Sequence, residues 1–177
     1  MPAPAADLGI AASGDGLVSA APGFPAKLQG AGDIRLQCAW PVGAVVSLGL
    51  DFLLAGALAS DTAGWFAYRG WGGWGVEALG RATWLLAGGR QSGWLRTGAE
   101  LAAGAGLLHY ASTTLYFFSP TVQVAGLLQY TPARLPYLDF TLSVPVRAWL
   151  RTDLSYSISA GLGVSCSFST SRYGVKP

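Results

Sequence analysis

The run from Leu154 to Phe168, L-S-Y-S-I-S-A-G-L-G-V-S-C-S-F, leaves a chain little freedom in how it folds. Every even position is apolar (Leu154, Tyr156, Ile158, Ala160, Leu162, Val164, Cys166, Phe168), and every odd one is Ser or Gly. A strict period of two over fifteen residues belongs to a strand whose two faces meet different surroundings, and no helix produces it. The polar face is small and uncharged where a soluble strand would carry Lys and Glu. The apolar, aromatic face is therefore the outside of a barrel in lipid, and the small polar face is its crowded inside.

Composition agrees with this inversion. Hydrophobic residues make up 51% of the chain and charged ones 11%, about half of what a soluble surface of this size requires. Gly at 25 and Trp at seven suit strands around a narrow lumen with aromatic interfaces. The formal net charge of +2 comes without a basic cluster that could track phosphates, so no nucleic-acid partner is expected. Met1 leads directly into P-A-P-A-A-D, without a basic segment followed by an apolar one, so the expectation is a mature chain whose signal peptide has been removed.

The same parity recurs along the chain. A first strand is expected over 6–13, with Leu8, Ile10 and Ala12 outward, followed by a long loop over 14–30 that contains D-G and two Pro. Alternation from Ile34 to Trp40 and from Val42 to Leu54 gives two strands joined at A-W-P-V-G, because Pro41 cannot donate to a ladder and Trp40 suits the membrane interface. After a long connection over 55–74, strands follow at 76–86 and 95–107, joined by G-G-R-Q-S. A third long connection, 109–120, leads to strands at 121–130 and 137–146, with Arg147 to Asp153 leading into the last strand. The expected fold is all-β: a closed, antiparallel, up-and-down transmembrane barrel of eight strands. It forms one domain over 1–177, with the barrel at about 5–168 and a short tail at 169–177. A polytopic helical protein built from runs such as Val42 to Ala59 would place Asp51 in mid-membrane and leave the period of two unexplained. A soluble lipocalin-like barrel would need a charged, solvated face.

Parity places Arg35, Asp51, Glu77, Arg81, Arg96, Glu100 and Asp139 on the inward face, and puts no strand charge on the lipid face. An eight-stranded interior is just wide enough for side chains to fill, so these groups are expected to pair and plug the lumen. Trp40, Trp84, Tyr130 and Phe168 are expected at the membrane interface. Trp65, Phe66, Tyr68, Trp71, Trp74, Tyr116, Phe117 and Phe118 fall in the long connections as surface-loop candidates. Cys38 and Cys166, both outward and two strands apart, are expected to be free. One His, two distant Cys and isolated carboxylates make no metal site, and G-W-G-G-W-G lacks the ending of a phosphate loop, so no metal and no cofactor are expected.

On the alternation, the inward ionic cluster and V-S-C-S-F, the chain resembles the small outer-membrane β-barrels of diderm bacteria, the group of the outer membrane protein A membrane domain and the outer membrane protein W proteins. The resemblance implies an outer-membrane location, lipid and the barrel-insertion machinery as partners, and a terminal aromatic, here Phe168 or Tyr173, read by that machinery. Some relatives deacylate lipid A with His and Ser two apart followed by Asn; His109 and Ser112 are three apart and the chain has no Asn, so no enzyme is expected. The expected role is a non-enzymatic surface protein serving envelope integrity or attachment, with a host or matrix ligand at the loops. The rival is a narrow channel or transporter for small or hydrophobic solutes.

Overall fold

A computed structural model describes residues 6–21, 24–43, 45–57, 73–86, 94–110, 116–150 and 156–170. They form β1 (Asp7–Ala21), β2 (Phe24–Pro41), β3 (Val46–Ala57), β4 (Gly73–Leu86), β5 (Trp94–Tyr110), β6 (Tyr116–Thr131), β7 (Leu138–Leu150) and β8 (Tyr156–Ser169). Each strand pairs antiparallel with the next, and β1 pairs with β8, so the sheet closes into an eight-stranded up-and-down barrel. Among the described residues no helix is long and apolar enough to cross a membrane.

The side chains are sorted inside out. Leu36, Val124 and Val164 are 63%, 51% and 60% exposed on the outer wall, whereas Asp51 and Arg147 are 0% and 1% exposed within the barrel. Such a belt is stable only against hydrocarbon, and closure leaves no unpaired edge there. The chain is a membrane-spanning β-barrel. Cys38 and Cys166 are free and half-buried, on the two strands that flank β1.

Strand limits differ from the alternation pattern in four places. Residues 14–30 are a hairpin rather than a long loop: β1 runs to Ala21 and β2 begins at Phe24. The D-G signal is overridden because Gly14 and Gly16 stand outward opposite Gly32 and Gly30, which keeps the parity while removing the apolar side chains that would have revealed it. The connection over 109–120 shrinks to the residues between Tyr110 and Tyr116, and that over 55–74 to those between Ala57 and Gly73. β7 continues past Pro145 to Leu150, so Arg147 is part of the wall and not of a connection.

Two aromatic levels mark the apolar belt. Trp84 and Tyr130 are exposed, and Trp40 and Phe168 half-buried, at the end where the turns 42–45 and 132–137 lie. At the opposite end Trp74, Tyr116, Phe118 and Tyr156 are exposed on the outer wall. Trp74, Tyr116 and Phe118 are thus strand residues of the outer wall, not loop residues; Phe117 lies in β6, and Trp65, Phe66, Tyr68 and Trp71 lie outside the described residues. Trp84 and Trp74 are ten positions apart on β4. At roughly 3.3 Å per residue and a tilt of about 40°, that separation is about 25 Å, the height of a membrane barrel's apolar band.

Two ladders depart from regular pairing: β1–β2 shifts register between Ser19 and Ala21, and β7–β8 has a gap. Between β7 and β8 the pairs run from Ser143↔Gly163 to Val146↔Ala160, with none at Val144 and Pro145. Pro145 still pairs with Ala125 on β6, so its missing N–H is the one that would face β8.

Two outcomes follow from this wall. Val124→Arg, which puts a cation in mid-belt, should lower the free energy of folding into lipid vesicles by about 2–4 kcal/mol, read from urea titrations. Backbone amides at Gly161 to Gly163 should exchange hydrogen faster than those of the unbroken β4–β5 ladder, and Pro145→Ala, which supplies the donor, should slow them.

Candidate functional site

The barrel wall carries one chemically distinctive region, its lumen. Odd-numbered positions of β1, β2, β3, β4, β7 and β8 and even-numbered positions of β5 point inward, because a period of two keeps its face along each strand. Seven carboxylates and four guanidinium groups stand there among the described residues: Asp7, Asp15, Asp33, Asp51, Glu77, Glu100 and Asp139 with Arg35, Arg81, Arg96 and Arg147. All seven residues singled out by parity (Arg35, Asp51, Glu77, Arg81, Arg96, Glu100, Asp139) lie on that face, the most accessible being Arg96, whose side chain is 22% exposed.

Asp33 and Arg147 form the hub. Arg147 Nη2 donates to Asp33 Oδ2 at 2.7 Å, while Arg35 Nε donates to Asp33 Oδ1 at 2.7 Å. Ser13 Oγ donates to the same carboxylate at 2.7 Å, and Asp15 is held by Ser13 and Ser159 at 3.3 and 3.4 Å. On its other side Arg147 donates Nε and Nη2 to Gln123 Oε1 at 2.9 and 2.8 Å, and the Gln123 amide donates to Glu100 Oε1 at 2.7 Å. Glu100 Oε2 lies 3.4 Å from Arg81 Nη1. Arg81 Nε in turn stands 3.0 Å from Asp51 Oδ1, an ion pair without the alignment of a hydrogen bond. A continuous chain of polar contacts therefore crosses the barrel from β8 and β1 through β2, β7, β6, β5 and β4 to β3. In a low-dielectric interior this pairing is what makes the charges tolerable.

Two smaller groups sit above and below the chain. Towards the short-turn end, Arg96 Nη2 is 3.6 Å from Asp139 Oδ1, and Thr131 donates to the same carboxylate. Towards the other end, Trp149 Nε1 donates to Glu77 Oε1 at 2.9 Å, and the Arg147 guanidinium lies 5.3 Å from the Trp149 ring centre. Trp149 packs there with Leu17, Ala55 and Leu108, an apolar layer drawn from β1, β3, β5 and β7.

Asp15, Asp33, Arg147 and Trp149 escaped the sequence reading, although each keeps inward parity. The signal was available by extending the alternation past Ser13, back from Ile34 through Asp33, and past Val146, where those strands are expected to end or begin. The aromatic candidates do not gather in the lumen. On the outer wall His109 stacks on Trp74 with ring centres 5.5 Å apart and approaches Tyr116 at 5.1 Å, while Phe168 packs on Tyr137 at 5.6 Å. Among the described residues no group of three or more His, Cys, Asp or Glu could hold a metal ion.

No family model matches the chain, and no curated protein matches it by sequence. Among solved structures it is similar to Neisserial surface protein A (NspA), with 11% identity, a TM-score of 0.53, and 89% of this chain covered against 95% of that one. It is also similar to Ail, the attachment invasion locus protein of Yersinia pestis, in complex with the heparin analogue sucrose octasulfate, with 12% identity, a TM-score of 0.50, and coverage of 93% and 99%. At such identities the likeness is one of fold: this chain has the fold of the small eight-stranded outer-membrane barrels.

Removing the hub guanidinium strands buried acceptors on both Asp33 and Gln123. Arg147→Met should therefore lower the unfolding free energy by about 3–5 kcal/mol, measured by urea titration in detergent micelles, although it preserves side-chain length.

Proposed function

We propose that this protein is a non-enzymatic barrel of a bacterial outer membrane whose lumen is closed and whose long-loop end serves envelope integrity or attachment. The observation that carries this reading is the continuous chain of polar contacts across the lumen, backed by the apolar layer of Leu17, Ala55, Leu108 and Trp149. A solute passing through would have to separate buried ion pairs, which costs several kcal/mol per exposed charge. A plugged barrel offers its membrane partner only an outer wall, so any specific recognition belongs to the loop end. Lipid occupies the belt between the two aromatic levels, and the barrel-insertion machinery is its partner during assembly.

The non-enzymatic reading has support at His109, the chain's one imidazole. It is stacked against Trp74 and Tyr116 on the outer wall, and among the described residues no hydrogen-bond partner orients its Nδ1. The solved complex of Ail with a heparin analogue makes sulfated polysaccharide the first ligand class to test at the loops.

A transporter is the competing reading, and it predicts a different electrical signature. Purified protein in planar bilayers should give no steady ohmic conductance; a stable single-channel current that scales with voltage would overturn the closed-lumen reading. Intact cells displaying the protein should retain labelled heparin, and cells whose loop at 58–72 is replaced by a Gly/Ser linker should lose that retention.

A further inference from the structure

Parity keeps the strand charges off the lipid face. Among the described outward side chains of the strands, His109 is the one that can become a cation. It sits near the end of β5, paired in register with Trp74 on β4 and with Tyr116 on β6. The three rings draw together. Trp74 and Tyr116 stand two strands apart, about 9 to 10 Å by strand spacing, yet their ring centres are 6.0 Å apart. The imidazole centre lies 5.5 Å from Trp74 and 5.1 Å from Tyr116, and its plane is only 19° from that of the indole. His109 Nδ1 is buried without a hydrogen-bond partner, which leaves Nε2 as the nitrogen available to a group arriving from outside. Trp74 and Tyr116 are exposed and bring an indole N–H and a phenol O–H to the same patch.

Position and chemistry together select the occupant. The cluster lies at the loop-end limit of the apolar belt, ten positions along β4 from Trp84, at the depth where lipid headgroups begin. One row further into the belt, Val76, Leu107 and Phe118 are exposed neighbours across the same three strands. A ligand that satisfies both rows carries an anion at one end and an acyl chain at the other. Three donor-bearing rings suit a phosphate group, with three terminal acceptor oxygens, better than a carboxylate with two. The stack favours the same ligand, because a positive charge over the face of Trp is attracted by the ring quadrupole. An anion at Nε2 then meets a charge-assisted donor. Ionisable side chains in contact with lipid are costly and are kept where they have a partner.

We propose that Trp74, His109 and Tyr116 form an outer-wall site for the phosphate headgroup of a membrane lipid, with His109 Nε2 as the central donor and Val76, Leu107 and Phe118 seating the start of the acyl chain. The site holds one lipid against β4, β5 and β6 and fixes the depth of the barrel at that face. It is independent of the lumen, so it stands whether or not the barrel conducts.

The chain has one histidine, so labelled protein gives one imidazole signal in nuclear magnetic resonance spectra. In micelles of an uncharged detergent that signal should shift saturably with lauroyl lysophosphatidic acid. Laurate, which carries the same tail on a carboxylate, and inorganic phosphate, which has no tail, should each bind at least tenfold more weakly. His109→Phe keeps the ring stack and removes the donor; read at the Trp74 indole, it should weaken lysophosphatidic acid binding at least tenfold. Trp84→Phe, at the opposite aromatic level, should leave the affinity within twofold. Shifts that rise linearly mark dissolution of the lipid in the micelle and overturn the proposal. Equal binding of laurate reduces the site to a response to surface charge, equal binding of inorganic phosphate reduces it to a free-anion site, and either result overturns it. So does unchanged affinity in His109→Phe, or an equal loss in Trp84→Phe. Should His109→Phe fail to fold by circular dichroism, Trp74→Phe combined with Tyr116→Phe, which removes the other two donors and keeps aromatic rings, decides at the His109 signal: a weakening of at least fivefold upholds the site and unchanged affinity removes it.

Discussion

A strand in hydrocarbon has no water to satisfy its backbone, so every N–H and C=O must find a neighbouring strand. Everything else in this molecule follows from meeting that demand by closure. Pairing of β1 with β8 removes both sheet edges, and the closed cylinder then has one face turned to lipid and one turned to itself. The lapse opposite Pro145 is local and lies on one side of one strand, and the register shift of β1 against β2 between Ser19 and Ala21 lies at their hairpin end. Neither neighbour of β7 shifts register to compensate.

Closure makes the inner face a small volume of low dielectric, in which a charge is stable only beside its partner. Arg147 illustrates how the fold meets that requirement with residues far apart in sequence: its guanidinium meets Asp33, 114 residues away, and Gln123, 24 residues away, while its Cζ lies 5.3 Å from the centre of the Trp149 ring. Among the described residues Asp33, Asp51, Glu100 and Asp139 pair with guanidinium groups, while Asp15 is held by serine hydroxyls and Glu77 by the Trp149 indole. Bulk is distributed unevenly around this core. Leu17, Leu108 and Trp149 crowd the loop end, while serines and glycines of β8 leave the opposite end open. Side chains therefore fill the barrel towards the loop end and leave a cavity towards the short turns.

Expectation and structure part company where turn chemistry and parity disagree. G-D-G carries a strong turn signal in isolation, and the first strand is expected to end before it at Ser13, while the seventh is expected to end at Val146, just past Pro145. In the barrel, outward Gly14, Gly16, Gly30 and Gly32 simply face one another across β1 and β2, and Pro145 is accommodated by the loss of one donor towards β8. Neighbouring strands hold the backbone extended at these positions, so tertiary pairing overrides the local preference. The same oversight removed Asp15, Asp33 and Arg147 from the expected ionic group, although their parity matches that of Arg35.

Alternation alone determined that the chain is a barrel with lipid outside and charge inside, because a period of two assigns each side chain to a face before any contact is known. Which charges meet could not be read that way. A face is a property of one strand, whereas a partner depends on register, tilt and the distance across the lumen, and these are settled only when all eight strands close. The cavity belongs to the same class: the small residues of β8 were plain in the sequence, but whether a bulky side chain from across the barrel would fill the space beside them was decided by the closed structure.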